Sequence, residues 1–257
     1  MGRGRGSSAP LPTAMRPLSI LAFLLLASGC AGEEPQAPAT AEGTAIRTEM
    51  RAADLSGIDR AFERLAQTPH RETVRIEQLD ATGRAVAYHQ QAVERSGGAA
   101  RVLAADSAGR FDYGAFGSFA DTPSARTDSA RSPLRWMLTR GEGGYEPAYL
   151  TERARDAYAY ERLTDESGFQ ATAQLGEGDE QAVRLVRYRT APTGYLRGLV
   201  LERENAATLF DERTRLEVEL SAGTDALPER VLVESRVAAP FAETRRFRLT
   251  RAFEPLR

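Results

Sequence analysis

Asp80-Ala81-Thr82-Gly83-Arg84 interrupts a stretch in which apolar and polar residues alternate. Before it, Val74 and Ile76 alternate with Arg75 and Glu77; after it, Val86 and Tyr88 resume the alternation. The pattern recurs at Asp106-Ser107-Ala108-Gly109-Arg110 and at Asp165-Glu166-Ser167-Gly168-Phe169. An Asp at the first turn position accepts a local hydrogen bond, and a Gly three residues later supplies a positive φ. The pair makes a type I turn with a bulge, a common hairpin connection. Three such turns between alternating segments predict an antiparallel meander, with positive φ at Gly83, Gly109 and Gly168.

The same period continues toward the C-terminus. Leu216, Val218 and Leu220 alternate with Arg215, Glu217 and Glu219. Val231, Val233 and Val237 share a parity, as do Phe241, Phe247, Leu249 and Phe253, with Arg246 and Arg248 on the other. One face of the sheet is therefore buried and one is wet. Toward the N-terminus the period becomes helical. Ile46 and Met50 are a turn apart, and Ile58, Phe62 and Leu65 form a stripe. Asp54 or Ser56 is placed to cap the second piece, Gly57 to mark a break, and Pro69 to end it. The fold class is α+β and mainly antiparallel β, with a strongly curved or unclosed barrel-like sheet of about eight to eleven strands and a few short helices. A single domain covers residues 45–257.

Between the hairpins lies an aromatic region. Ser132-Pro133 is a helix entry, the hydroxyl capping and the proline at the first helical position, so a short helix is expected over Pro133 to Thr139. Trp136 and Met137 on it, with Phe116 and Phe119 on the preceding loop, are candidates to gate a cavity. Val218, Val233 and Phe247, each on its strand's apolar face, are candidates for the cavity wall. The other outcome is that these side chains complete a filled core.

Composition narrows the chemistry. Of 257 residues, 42% are hydrophobic and 27% charged, and the net charge of −2 gives no field that favours nucleic acid. All 34 basic residues are Arg, which matches a GC-rich coding bias. The single cysteine excludes an internal disulfide and a multi-cysteine zinc site. His70 and His89 read as surface residues: no G-x-S-x-G elbow accompanies them, and His70 with Glu72 lacks a third metal ligand. Gly141, Gly143 and Gly144 do not form a dinucleotide fingerprint, and a P-loop lysine is absent. Carboxylates alternating with Arg on strands predict cross-strand ion pairs on a wet face, and the run from Arg245 to Arg251 fits that picture. No catalytic residue, metal site or cofactor is expected, and the chain reads as a non-enzyme.

Residues 1–29 read as a leader and signal peptide, with Met1 and Met15 both open as the start of translation. The apolar run Leu21-Ala22-Phe23-Leu24-Leu25-Leu26 is far short of the roughly 20 residues a spanning helix needs, and it ends in small residues that suit a cleavage point. Ala27-Ser28-Gly29-Cys30 resembles the bacterial lipobox. The resemblance implies cleavage before Cys30 and acylation of its thiol, which attaches the protein to a membrane. Ala31, rather than Asp, resembles the signal for passage to the outer membrane, so the expected location is the bacterial cell envelope, facing the periplasm. Residues 30–44 are acidic and rich in Pro and Ala, a tether rather than a fold.

A lipidated chain with an N-terminal helix, a long antiparallel meander, a short-helix interruption and C-terminal strands is similar to the Lol-type superfamily of outer-membrane lipoprotein carriers and receptors. That resemblance is architectural, and no family site is carried over. It implies an unclosed barrel covered by helices, with an apolar cavity for acyl chains. The expected function is binding of a lipid or other amphipathic ligand in such a cavity. The alternative is an accessory, non-catalytic lipoprotein that binds another envelope protein through a sheet edge.

Overall fold

Ten strands join in one antiparallel sheet that stays open at both ends. The computed structural model describes residues 40–111, 132–134, 138, 140–141, 144–145, 147–164, 166–174, 181–207, 210–240 and 242–256. Two helices come first, α1 (Ala41–Ala52) and α2 (Ser56–Gln67), then β1 (His70–Leu79), β2 (Ala85–Ser96) and β3 (Ala99–Ala108). A two-stranded ribbon of β4 (Arg140–Gly141) and β5 (Gly144–Tyr145) and two short 3₁₀ turns (Ala148–Leu150, Glu152–Ala157) follow. The rest is β6 (Tyr158–Arg162), β7 (Gly168–Ala173), β8 (Gln181–Thr190), β9 (Leu196–Ala207), β10 (Phe210–Leu220), β11 (Pro228–Ala238) and β12 (Arg245–Pro255). The sheet order is β3-β2-β1-β12-β11-β10-β9-β8-β7-β6, so the pairing of β1 with β12 joins the first strands to the last. The fold is the expected α+β class with an unclosed, curved sheet. Among the described residues no helix is long and apolar enough to cross a membrane.

Local chemistry explains most boundaries. Thr40 caps α1, its Oγ1 accepting from Gly43 N at 3.0 Å, so regular structure starts at Ala41, inside the stretch read as tether. The break between the helices falls at 53–55 rather than at Gly57. Neither Asp54 nor Ser56 caps α2 through its side chain, and the α2 N-cap position is Leu55. Asp54 instead pairs with Arg60. Gly83 has φ 84°, and the Asp80 carboxylate accepts from Thr82 N and Arg84 N at 2.8 and 2.9 Å, as the turn chemistry requires. Gly168 has φ 153° and opens β7, which pairs with β6 across the expected turn.

Two expectations need correction. Gly109 has positive φ (74°), but Asp106, Ser107 and Ala108 belong to β3 and pair with Gln90, His89 and Tyr88, so this copy is not a hairpin turn. The turn joining β2 to β3 is Gly97-Gly98, with φ 58° and 83°, the two positive values a tight hairpin needs. The parity of β2 also differs. The register shifts between Gln78 and Leu79, and this brings Ala87 into line with Gln78, so Ala87 is buried while Val86 is exposed. One extra residue at a bulge moves every later side chain to the other face.

The pairing gives the sheet two unlike faces. Leu201, Leu216, Val233, Leu249 and Ile76 stand opposite one another across β9, β10, β11, β12 and β1. All five are buried with Ile46, Met50, Ile58, Phe62 and Leu65 of the helices in one core. Phe62 meets Phe253 edge-on at 5.9 Å. The opposite face carries Arg and Glu at the alternate positions.

Candidate functional site

The expected cavity residues fall into two groups. Cys30, Phe116, Phe119, Trp136 and Met137 lie outside the described residues. Val218, Val233 and Phe247 are described, and all three stand on the apolar face. Val218 is fully buried, Val233 and Phe247 nearly so, and the two valines belong to the core that the helices fill. Of the helix expected over 133–139, Ser132 Oγ accepts from Leu134 N at 3.3 Å, and Leu138 N donates to Leu134 O at 2.8 Å. Leu134 and Leu138 join the same core.

Sequence periodicity missed a charged cluster inside the apolar face. Arg251 shares the parity of Leu249 and Phe253, and it is buried. Its Nε and Nη2 donate to Glu72 Oε1 at 2.7 and 2.6 Å, while Arg95 Nε donates to Glu72 Oε2 at 2.8 Å. Burial alone would raise the Glu72 carboxyl; the Arg251 charge and the hydrogen bonds from both arginines outweigh it and hold the group below its ordinary value. His70 is buried too, which corrects its reading as a surface residue. It opens β1 on the core side, its ring lies 6.2 Å from that of Phe253, and its Nδ1 bonds to Thr68 O at 2.7 Å. Both Glu72 oxygens are held by arginine, so Glu72 is not an open ligand. Among the described residues no group of three potential metal ligands occurs.

A second buried polar cluster holds the β6 end of the sheet. Tyr149 and Tyr188 share a hydroxyl–hydroxyl bond of 2.9 Å, and Tyr160 Oη donates to Tyr149 O at 2.7 Å. Burial pushes the phenols of Tyr149 and Tyr188 well up, so both stay neutral. The cluster is sealed and reads as structural.

A groove lies on the other face. It has a volume of about 800 Å³ and runs over the strand ends from Leu79 of β1 to Thr172 of β7. Those two strands are six places apart in sheet order, which in a flat sheet would be about 29 Å. The groove therefore crosses seven strands. Seven of the lining residues are Arg and three are Glu (Glu202, Glu204, Glu234), with Leu79, Leu185, Ala173 and the expected cavity residue Phe247 as apolar members. On this face one row alternates in sign: Glu77, Arg248, Glu234, Arg215 and Glu202 stand opposite one another in register. Arg248 reaches Glu234 at 2.9 Å and Glu77 at 3.5 Å, and Arg215 reaches Glu202 at 3.0 Å. This is the cross-strand pairing expected from the alternation of Arg and Glu.

The two sheet edges differ. At β6, α1 packs alongside, and Glu49 pairs with Arg162. At β3 all ten residues are exposed, Val102 by 58% and Leu103 by 38%. Among the described residues no strand pairs with its outer side.

No protein-family model matches the chain, and no curated protein matches it. Among solved structures, it is similar to a chain of the Pseudomonas aeruginosa MucA/MucB complex, at 11% identity over 79% of this chain and 98% of that one, with a TM-score of 0.14.

Proposed function

We propose that this chain is a non-catalytic lipoprotein of a bacterial cell envelope, anchored through an acylated Cys30, that binds another envelope protein by adding one of its extended segments to the outer edge of β3. The exposed β3 edge, unpaired among the described residues and interrupted by one register shift at Leu103, carries this reading. An edge strand presents a row of backbone donors and acceptors, which most proteins blunt with Lys, Pro or a covering element. β3 is ten residues long, reads AARVLAADSA, and has only Arg101 and Asp106 as charges. Strand addition to such an edge draws affinity from main-chain hydrogen bonds and specificity from alternate side chains.

The test places a photo-crosslinking side chain at residue 103 in living cells, with residue 222, in an exposed loop, as control. Position 103 should give one adduct of discrete mass and position 222 none. Lys at Val102 and Ala105 should abolish the adduct and leave the melting temperature unchanged, because both sites are exposed. An adduct that survives both lysines would sink the strand-addition reading.

The second reading, a bound amphipathic ligand, is favoured by one observation. It is the charged groove, because Val218 and Val233 on the apolar face are packed against neighbours.

A further inference from the structure

One row inside the groove breaks the alternation of charge. Next to the paired row, Arg246 of β12 stands directly opposite Arg236 of β11, and Arg236 stands directly opposite Arg213 of β10. Like charges directly opposite on neighbouring strands repel. Only the far end of the row is neutralised: Arg213 pairs with Glu204 at 2.8 Å, and Glu204 also takes Arg184 at 2.8 Å. Arg246 donates to a neutral partner, Ala81 O, at 3.0 Å. Arg236, in the middle, has no ion pair or hydrogen bond among the described residues, and its Nε is buried. Of these four arginines, Arg184 and Arg213 share Glu204, while Arg236 and Arg246 have no carboxylate partner among the described residues, at the wall of the groove.

We infer that Arg213, Arg236 and Arg246 form an oxyanion site for a phosphoryl group carried on a larger molecule. The row leaves an excess of positive charge that one carboxylate would not balance, and a phosphomonoester dianion comes closer. Guanidinium forks suit phosphate oxygens, and charge-assisted bonds of this kind are roughly twice as strong as neutral ones. Phosphate alone would fill a small part of 800 Å³, so the groove has room for the group that bears it, with Leu79 and Leu185 as apolar footholds. The site lies on the charged face and needs nothing from the β3 edge, so either proposal can fail without the other.

The experiment uses the full chain with Cys30→Ala, so that an acyl anchor does not contribute, and titrates three probes by calorimetry: inorganic phosphate, dihexanoyl phosphatidic acid and dihexanoyl phosphatidylcholine. Phosphatidic acid should saturate at one molecule per chain, weaken with added salt, and bind at least about tenfold more tightly than phosphatidylcholine. Inorganic phosphate matching phosphatidic acid would assign the site to free phosphate; tighter phosphatidic acid assigns it to a phosphorylated amphiphile. Arg236→Met should lose binding by about tenfold or more, whereas Arg189→Met, on the same face but paired with Glu217 at 2.8 Å, should bind as the parent does. A structural Arg236 would destabilise the free protein when removed. An arginine awaiting an anion should instead leave the melting temperature the same or higher, because a repulsive charge is gone. Overturning results are no saturable binding of either phosphate probe, binding that Arg236→Met leaves intact, or a lowered melting temperature in that variant.

Discussion

Glu72 of β1 and Arg251 of β12, 179 residues apart in the chain, close a buried ion pair on the face that is otherwise apolar. Removing one partner leaves a desolvated charge, so Glu72→Leu should cost about 3 kcal/mol or more, with Arg251 stranded and Arg95 released. The double variant Glu72→Leu, Arg251→Met should cost clearly less than the sum of the two single changes. Denaturant unfolding of the four proteins measures this; strict additivity would show that the pair is not coupled. The pair also sets a pH dependence. Its folded-state carboxyl lies below the ordinary value of 4.5, so the stabilisation is complete above that value and is lost as pH falls through the folded value. The parent should lose stability in that acid range, and Glu72→Leu should show a shallower loss.

The glycines should separate by what a side chain would meet. A Cβ at Gly168 would lie 2.0 Å from Tyr188 O, and one at Gly109 2.4 Å from Val86 O, both backbone atoms that cannot step aside. At Gly83 nothing lies within 4 Å. Gly83→Ala should therefore cost only about 1–2 kcal/mol for the left-handed conformation. Gly168→Ala and Gly109→Ala should each cost more, on the order of 3 kcal/mol. Thermal unfolding ranks them, and equal losses at all three sites would contradict the close approach.

Tyr149 and Tyr188 satisfy one another in a sealed site. Tyr149→Phe strands the Tyr188 hydroxyl and should cost about 1–3 kcal/mol, whereas changing both to Phe removes donor and acceptor together and should recover part of the loss. A double-mutant cycle with no coupling would place the two hydroxyls apart.

Acylation is tested at its own residue. Cys30→Ala should leave the protein unlabelled by radioactive palmitate and released from membranes; labelling that persists would refute Cys30 as the anchor.

What the sequence alone determined about this protein was local and periodic. A period of two along Leu216, Val218 and Leu220 and an Asp-Gly turn at 80–84 each encode their own geometry within a few residues, so the antiparallel α+β class and the buried parity of the late strands were legible. Local signals misled where a local rule met a neighbour. Asp106 to Gly109 has the composition of a turn, yet it lies in or beside β3, because the Gly97-Gly98 hairpin sets the β2–β3 register. Arg251 looked like part of a wet basic run, but pairing with β1 places it inside, where Glu72 offsets the desolvation of its charge. The Arg213-Arg236-Arg246 row is the clearest case. Nothing in three separate strands shows that these residues share a line; only the registers of two strand pairings bring them together. Tertiary structure alone decided where the chain is neutralised and where positive charge is left over, because electrostatic balance depends on distance in space and periodicity records only distance along the chain.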